Sequence, residues 1–309
     1  MNKVSVLVAI YKNEYNILPF YEEFNKNIAP HLDDYELIMI NDDSPDRSWE
    51  IMLSLAEQDD HVKCIRLSRN FGAIPTIFTG MQYSSGDCIM VKACDLQEPS
   101  DLSVNMYNEW KNGEKMVFAV REARKDGVFG DLFSNLYYFF MRKMVDPEMP
   151  KGGFDIYLMD RAIAQKIVEM NDKNSPIVLQ LMWLGYHPKK LYYVRKKREI
   201  GKSSWSLAKK VKLFVDSLIA FSYVPIRIMS LLGVLFLVFS VVYGICVLIS
   251  RLRGLIPIQG YTTLLIIVLF SSGLIMFTLG VLGEYVWRTL ESSRNRPLSV
   301  VRDTVNFDK

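Results

Sequence analysis

The chain has 309 residues, enough for one medium-sized domain and a further segment. Its formal net charge of +3 is too small to suggest that it binds nucleic acid. Four cysteines without a Cys-x-x-Cys pair and three dispersed histidines argue against a zinc site or a disulfide framework. The composition is therefore typical of a reduced cytoplasmic protein, and the short apolar run after Met1 is not expected to be a signal peptide.

Apolar runs alternate with helical patterns over the first part of the chain. Strands are predicted over residues 4–10, 35–40, 62–67 and 88–91, and helices over 14–29, 48–59 and 74–83. This alternation predicts right-handed βαβ units and an α/β fold with a mostly parallel sheet.

The middle of the chain continues with both kinds of element. Helices are predicted over residues 101–112, 130–144 and 161–170, and strands over 115–120 and 154–158. Residues 206–223 carry lysines early and apolar residues at helical spacing, which favours an amphipathic helix at a membrane surface. The alternative is a helix that packs on the soluble domain.

Two long stretches, residues 228–249 and 260–283, contain no charged residue. Each exceeds the roughly 20 residues that cross a bilayer. Lysine and arginine are dense before the first stretch and recur after the second, whereas the connecting loop has only Arg251 and Arg253. The positive-inside rule then predicts an inner-membrane protein with both termini cytoplasmic.

This pattern predicts four regions. They are a cytoplasmic domain (1–205), an amphipathic juxtamembrane helix (206–225), a two-helix transmembrane hairpin (226–287) and a cytoplasmic C-terminal tail (288–309).

Polar residues follow several of the predicted strands. Tyr11, Asp42 and Asp95 each come at or just after a strand end, and ligands of such sheets bind beyond the carboxyl ends of the strands. Asp42 could accept hydrogen bonds from a base or ribose. Asp95, with Gln97 or Glu98, could hold Mg²⁺ or Mn²⁺ against a diphosphate. Taken singly, each acid is better explained as a solvated loop residue, whereas together on one edge of the sheet they favour a nucleotide site.

Several basic residues offer sites for a second phosphate. Arg121, Arg124, Lys125 and Lys202 could receive it, since arginine forks match phosphate oxygens. The alternative is unspecific attraction to anionic lipid headgroups. No Ser-His-Asp arrangement or phosphate-binding P-loop is visible, which disfavours hydrolases and P-loop kinases.

Several motifs in this order resemble one known family. They are Asn-Asp-Asp-Ser-Pro-Asp at 41–46, Leu-Ser-Arg-Asn-Phe-Gly at 67–72, Ala-Cys-Asp-Leu-Gln-Glu-Pro at 93–99 and Leu-Gly-Val-Leu-Gly-Glu-Tyr at 279–285. With the paired apolar stretches, the chain resembles the polyprenyl-phosphate glycosyltransferases, membrane enzymes of family 2 with the GT-A fold.

The resemblance implies inverting transfer of one sugar from a nucleotide-sugar, such as a UDP-sugar, to polyprenyl phosphate, for cell-surface glycan modification. It also implies a divalent metal, contact with membrane lipids and a homo-oligomer. The resemblance also assigns roles to residues at matching positions. For the nucleotide they are Ala9, Tyr11, Glu14 and Asp42, and for the metal they are Asp95 and Gln97. Arg121 matches a phosphate-binding position, Asp155 lies near the reacting sugar, and the residues near the lipid phosphate are Lys202, Ser203 and Ser204. Among these, Asp95, Asp155 and Arg121 are the candidate catalytic residues.

The chain departs from the family pattern at three positions. Ala93 replaces the usual aspartate, Ala9 replaces a proline, and Tyr157 replaces an arginine. Ala93 and Tyr157 motivate an alternative, a membrane-anchored nucleotide-sugar binder without catalysis. A processive polysaccharide synthase is disfavoured because residues 180–183 lack the Gln-x-x-Arg-Trp motif. A transporter is disfavoured because the apolar stretches carry no charge.

Overall fold

The computed structural model describes residues 2–122, 139–143, 147–150, 154–172, 175–196, 214, 216–217, 219, 224–253, 260–294 and 296–307. The chain forms two compact units, Met1–Phe214 with Pro297–Lys309, and Val215–Arg296. Most of the predicted helices over 130–144 and 206–223 lies outside the described residues. So do Arg124, Lys125, Lys202, Ser203 and Ser204.

The first unit is built on an eight-stranded sheet. Its strands are β1 (Lys3–Ile10), β2 (Asp34–Asn41), β3 (Val62–Leu67), β4 (Cys88–Lys92), β5 (Met116–Arg121), β6 (Phe154–Asp160), β7 (Lys189–Tyr193) and β8 (Val301–Val305). Their spatial order is β7-β5-β6-β4-β1-β2-β3-β8. The six strands predicted from the sequence correspond to β1 to β6 and are confirmed, with small shifts of their ends.

Six of the eight strands run in one direction. β1 is parallel to β2 and β4, β2 is parallel to β3, and β5 is parallel to β7. β6 lies antiparallel between β4 and β5, and β8 is antiparallel to β3. The predicted mostly parallel α/β sheet is therefore confirmed, and the carboxyl ends of six strands share one edge.

Helices connect the strands and cover the sheet. They are α1 (Glu14–Asn27), α2 (Ser48–Ala56), α3 (Ala73–Tyr83), α4 (Ser100–Lys111), α5 (Arg161–Met170) and α6 (Ile177–Trp183). The central strands are buried because their runs of Val, Ile, Leu and Met pack under helices on both faces. α3 lies especially close to the sheet: a Cβ at Gly80 would meet Ile40 Cδ1 at 2.9 Å.

The C-terminal strand β8 was not predicted from the sequence. It pairs with the edge strand β3 through residues such as Thr304 opposite Ile65. The side-chain nitrogen Nδ2 of Asn306 donates to the backbone carbonyls of Ala56 and Val62 at 2.7 and 2.9 Å. The last residues of the chain are therefore part of the first unit, and they cover the edge of its sheet.

The second unit contains two long apolar helices, α7 (Val224–Leu252) and α8 (Tyr261–Ser293). Candidate membrane spans within them are Val224–Cys246, with mean hydropathy 2.5, and Phe270–Ser293, with 1.3. Large apolar side chains such as Leu237 and Phe277 are exposed along both helices. By length and composition, both helices can cross a bilayer.

Candidate active site

The strand order reverses between β1 and β4. From β1 the chain builds the sheet outward through β2 and β3, then returns to place β4 on the other side of β1. Such a reversal leaves a crevice between the loops that follow the two strands, and this is where open α/β sheets bind ligands. The loops that begin at Tyr11 and Ala93 flank this crevice.

The loops after β1 and β2 are joined by hydrogen bonds. The Lys12 amide donates to Ser44 Oγ at 2.7 Å, and the Glu14 amide donates to Asp46 Oδ2 at 3.2 Å. In return, the Arg47 amide donates to Glu14 Oε2 at 3.2 Å. The predicted nucleotide residue Glu14 is thus held by the second loop, and the two loops form one preformed wall.

Tyr11 stands on this wall with 39% of its surface exposed. Lys12 Nζ lies 5.5 Å from the centre of its ring. Ala9, on β1, is half-buried two residues before it. The exposed ring offers a flat apolar surface on which a nucleobase can stack.

Asp42 is buried directly after β2. Its carboxylate accepts hydrogen bonds from the Phe71 amide at 2.7 Å and the Gly72 amide at 2.9 Å. Burial raises the pKa of Asp42, and the two amide donors oppose that shift. These contacts give Asp42 a role that the sequence did not reveal, since it anchors the loop after β3. Direct contact with a nucleotide stays a prediction.

The oxygens of Asp95 and Gln97 converge on one nitrogen of Arg195. Nη2 of Arg195 lies 3.5 Å from Asp95 Oδ2 and donates a short hydrogen bond to Gln97 Oε1. The Lys196 amide donates to the Gln97 carbonyl at 2.8 Å, and Gln97 Nε2 donates to the Lys196 carbonyl at 3.1 Å. The loop after β4 is therefore fixed to the segment after β7.

Sequence reasoning missed Arg195, which it treated only as one of the basic residues before the membrane. Arg195 was missed because residues 189–193, which form β7, were not predicted as a strand. The alternation that could have revealed it is weak, because within this segment only Tyr193 is buried. Once β7 is placed beside β5, Arg195 follows the end of a strand, as Asp95 does.

Arg121 ends β5 beside these residues. Its Nε donates to the Tyr193 hydroxyl at 3.4 Å, and the Glu122 amide donates to the Tyr193 carbonyl at 3.0 Å. Burial and the charge of Arg121 together lower the pKa of Arg195, whereas Asp95 and Glu98 act in the opposite sense. The guanidinium groups of Arg121 and Arg195 and the largely buried carboxylate of Asp95 therefore form a net positive cluster.

Lys92 and Glu98 form a second pair of ionisable groups, and Glu98 interacts electrostatically with the first cluster. Both side chains are buried, and Lys92 Nζ lies 4.0 Å from Glu98 Oε2. Burial lowers the pKa of Lys92 and raises the pKa of Glu98. The end of β4 and the loop that follows it thus contain two ionisable groups for which burial disfavours the charged forms.

Asp155 belongs to the same edge through the backbone of β6. Because β6 is antiparallel, its first residues lie beside the last residues of its neighbours: Phe154 pairs with Val120 and Tyr157 with Val91. The pairing shifts between Ala119 and Val120, opposite Asp155. The topology therefore brings the backbone of the predicted acid to the edge that carries Asp95 and Arg121.

The predicted metal residues, Asp95 and Gln97, lie close together at this site. In the part of the chain that the structure describes, no group of three or more His, Cys, Asp or Glu residues could hold a metal ion. One carboxylate and one amide oxygen, from Asp95 and Gln97, do converge on a single positive group. Such a pair suits a hard cation that completes its shell with water and phosphate oxygens.

Comparisons with known proteins agree with this architecture. The model of the family "Glycosyl transferase family 2" matches residues 5–168. The uncharacterized glycosyltransferase YkcC of Bacillus subtilis (strain 168) is 33% identical, with 98% of this chain and 94% of the relative covered. The bactoprenol glucosyl transferase of Shigella phage SfV is 30% identical, with 97% and 98% covered.

A solved structure shares the fold. Mannosyl-3-phosphoglycerate synthase from Rubrobacter xylanophilus superposes with a TM-score of 0.50 at 12% identity, and the match covers 70% of this chain and 71% of that one. The fold is therefore that of the GT-A glycosyltransferases. The chain belongs to glycosyl transferase family 2 and is a glycosyltransferase.

Proposed function

We propose that this enzyme transfers one sugar from a nucleotide-sugar, a UDP-sugar, to polyprenyl phosphate at the cytoplasmic face of a membrane. The observation that carries the proposal is the meeting of Asp95 and Gln97 with Arg195 after β4, on the edge of the sheet where Arg121 ends β5, in a chain with two bilayer-length helices. The name of the phage relative, a bactoprenol glucosyl transferase, supports a polyprenyl acceptor.

The residues of the edge divide into a nucleotide part and a diphosphate part. Tyr11, on the wall formed by the first two loops, stacks on the base, and Ala9 lets the base approach β1. Arg121 binds the diphosphate, which leaves as the sugar is transferred, because a guanidinium forms charge-assisted hydrogen bonds with phosphate oxygens. Asp95 and Gln97 hold a divalent metal, Mg²⁺ or Mn²⁺, which neutralises charge on the leaving diphosphate when it is bound.

The acceptor explains why the site does not need a strong base. A phosphate oxygen of the lipid attacks the anomeric carbon while the bond from that carbon to the donor diphosphate breaks, so the configuration inverts. The lipid phosphate is already anionic at neutral pH, and no proton has to be removed from the nucleophile. Asp155 then serves to orient the sugar or the acceptor, while Arg124, Lys202, Ser203 and Ser204 bind the lipid phosphate.

The path of the chain supports a membrane hairpin with both ends on one face. The chain leaves the first unit at Phe214 and returns to it at Pro297, and β8 pairs within the same sheet as the N-terminal strands. A segment that starts and ends in one domain crosses a bilayer an even number of times. With two crossings by α7 and α8 both flanks lie on one side of the membrane, and the lysine and arginine residues of these flanks support the cytoplasmic side.

The test is a transfer assay with the purified full chain. The protein, in detergent with Mn²⁺, is incubated with a panel of labelled nucleotide-sugars and a short polyprenyl phosphate, and labelled lipid is extracted. We expect one donor to give a product that mild acid cleaves to a free sugar. Folded protein that makes no labelled lipid with any donor, or that labels only a soluble acceptor, would contradict the proposal.

A further inference from the structure

The side chain of Arg195 contacts both residues assigned to the metal. Its Nη2 lies 3.5 Å from Asp95 Oδ2 and is hydrogen-bonded to Gln97 Oε1. A cation that takes these two oxygens and the guanidinium that already uses them compete, because both are positive and both need the same lone pairs. Arg195 therefore has to give up these contacts for a cation to be held there.

The surroundings of Arg195 also favour an anion. Its buried Nε has no hydrogen-bond partner among the described residues. The charge of Arg121 disfavours the charge of Arg195, so the two guanidinium groups lie close enough to repel. A diphosphate between two arginines would relieve that repulsion and would supply the missing acceptors.

Ala93 affects the competition between Arg195 and a divalent cation for Asp95. The residue lies half-buried just after β4 and its side chain contributes no oxygen, so Asp95 is left with Gln97 as its partner in the predicted metal pair. A single carboxylate holds a divalent cation less strongly than two. An arginine within 3.5 Å of that carboxylate is then an effective competitor.

We infer that Arg195 is an exchangeable cation of the donor site: it holds Asp95 and Gln97 in the free enzyme, releases them to a divalent cation, and then binds the donor diphosphate together with Arg121. The inference rests on the proposed function and adds a residue to it. It predicts that one side chain opposes metal binding and supports nucleotide binding.

The test measures two affinities on the purified full chain. Mn²⁺ alone is titrated by electron paramagnetic resonance, and UDP or GDP is then titrated by calorimetry at saturating Mn²⁺. For Arg195→Gln we expect Mn²⁺ to bind about fivefold more tightly, because a nearby positive charge is lost. We expect the nucleoside diphosphate to bind about tenfold more weakly, because a charge-assisted hydrogen bond is lost.

Two further variants control for charge and for folding. Lys189→Gln removes the same charge from the opposite end of β7, where the side chain is exposed, and should leave both affinities unchanged. Arg195→Lys keeps the charge and should bind Mn²⁺ as the wild type does. If Arg195→Gln weakens both ligands, or changes neither, the inference is wrong. If the wild type binds neither UDP nor GDP with Mn²⁺, the proposed donor site itself fails, and the inference with it.

Discussion

Two buried glutamates lie at opposite edges of the same sheet, with opposite surroundings. Glu36 is 1% exposed and lies near the amino ends of the parallel strands, here called the amino edge. It accepts hydrogen bonds from the Ser5 hydroxyl and from both the amide and the hydroxyl of Ser85. Lys63 Nζ lies 2.9 Å from it. Glu98, 4% exposed at the carboxyl edge, has Lys92 at 4.0 Å.

The number of donors decides the ionisation of each glutamate. Burial alone would raise the pKa of Glu36, but the donors from Ser5, Ser85 and Lys63 outweigh it and lower this pKa to about 2. At Glu98 burial prevails over Lys92 and raises the pKa. At the amino edge, hydrogen-bond donors therefore fully compensate the charge of the buried glutamate, which serves the framework of the fold. At the carboxyl edge, the charge of the buried glutamate is only partly compensated. Such charges are a feature of ligand sites.

Removal of divalent metal should give the largest effect of all, and it should affect sugar transfer, which depends on the carboxyl edge, but not the stability of the fold. Chelation with EDTA should lower sugar transfer about 100-fold or more, since a metal stabilises the leaving diphosphate by several kcal/mol. Added Mn²⁺ should restore the rate. The thermal unfolding temperature without nucleotide should stay the same, because the amino edge needs no cation. Full transfer in EDTA would remove the metal from the account.

Glu36→Gln should give the largest loss of stability. It replaces a carboxylate held by Ser5, Ser85 and Lys63 with a neutral amide, and it should lower the free energy of unfolding by about 3 kcal/mol. Urea titration of the purified chain in detergent measures this change. Glu57→Gln, on the exposed end of α2, is the matched control and should change little. Similar values for the two variants would contradict the framework role.

The same variant gives a pH test. The pKa of Glu36 is lower in the folded chain than in the unfolded one, so its contribution is present above the unfolded value of about 4.3 and is lost as the pH falls toward 2. The difference in unfolding free energy between wild type and Glu36→Gln should therefore shrink over that window. A difference that stays constant from pH 6 to pH 3 would exclude a carboxylate effect.

Asp42→Asn should have a smaller effect that joins stability to donor binding. The amide side chain can accept only at one atom, so either the Phe71 or the Gly72 N–H loses its acceptor, at a cost of about 2 kcal/mol. Hydrogen exchange should become faster at Phe71 and Gly72, and KM for the donor should rise with little change in kcat. Asp43→Asn is the neighbouring control. Unchanged exchange would show that Asp42 does not hold this loop.

The double variant Lys92→Met with Glu98→Gln should have the smallest effect on stability. Replacement of a buried charge pair by uncharged groups is often neutral or stabilising, so we expect a change within about 1 kcal/mol. Because the Glu98 pKa is raised and the Lys92 pKa is lowered, the charged pair costs most stability at pH values above the unfolded pKa of glutamate and below that of lysine, and the variant should gain most in this range. A loss as large as that of Glu36→Gln would show that this pair is framework too.

The fold could be predicted from the sequence largely because its signals are local. The buried apolar runs of β1 to β4 alternate with helical segments, and this alternation fixes a parallel sheet and places Tyr11, Asp42 and Asp95 at one edge. β7 and β8 were missed because few of their residues are buried and their partners are distant in the chain. Pairing of this kind carries no local period.

The site was predicted by residue type but not by contact. The sequence identified Asp42 and Asp95 as acids that follow strands, and a strand end is visible in the sequence alone. It could not show that Asp42 is used by the amides of Phe71 and Gly72, or that Arg195 contacts Asp95 from 100 residues away. These contacts depend on the order of strands in space, which the sequence does not display.

The most direct test of the account compares Asp95→Ala with Ala93→Asp in the lipid transfer assay. If Asp95 is the carboxylate that holds the cation against the donor diphosphate, Asp95→Ala should lose transfer by about 100-fold or more. Ala93→Asp, which adds a second carboxylate beside it, should keep transfer and should need less Mn²⁺ for half-maximal rate. Full activity of Asp95→Ala in a folded protein would contradict the central claim that this edge of the sheet is the sugar-transfer site.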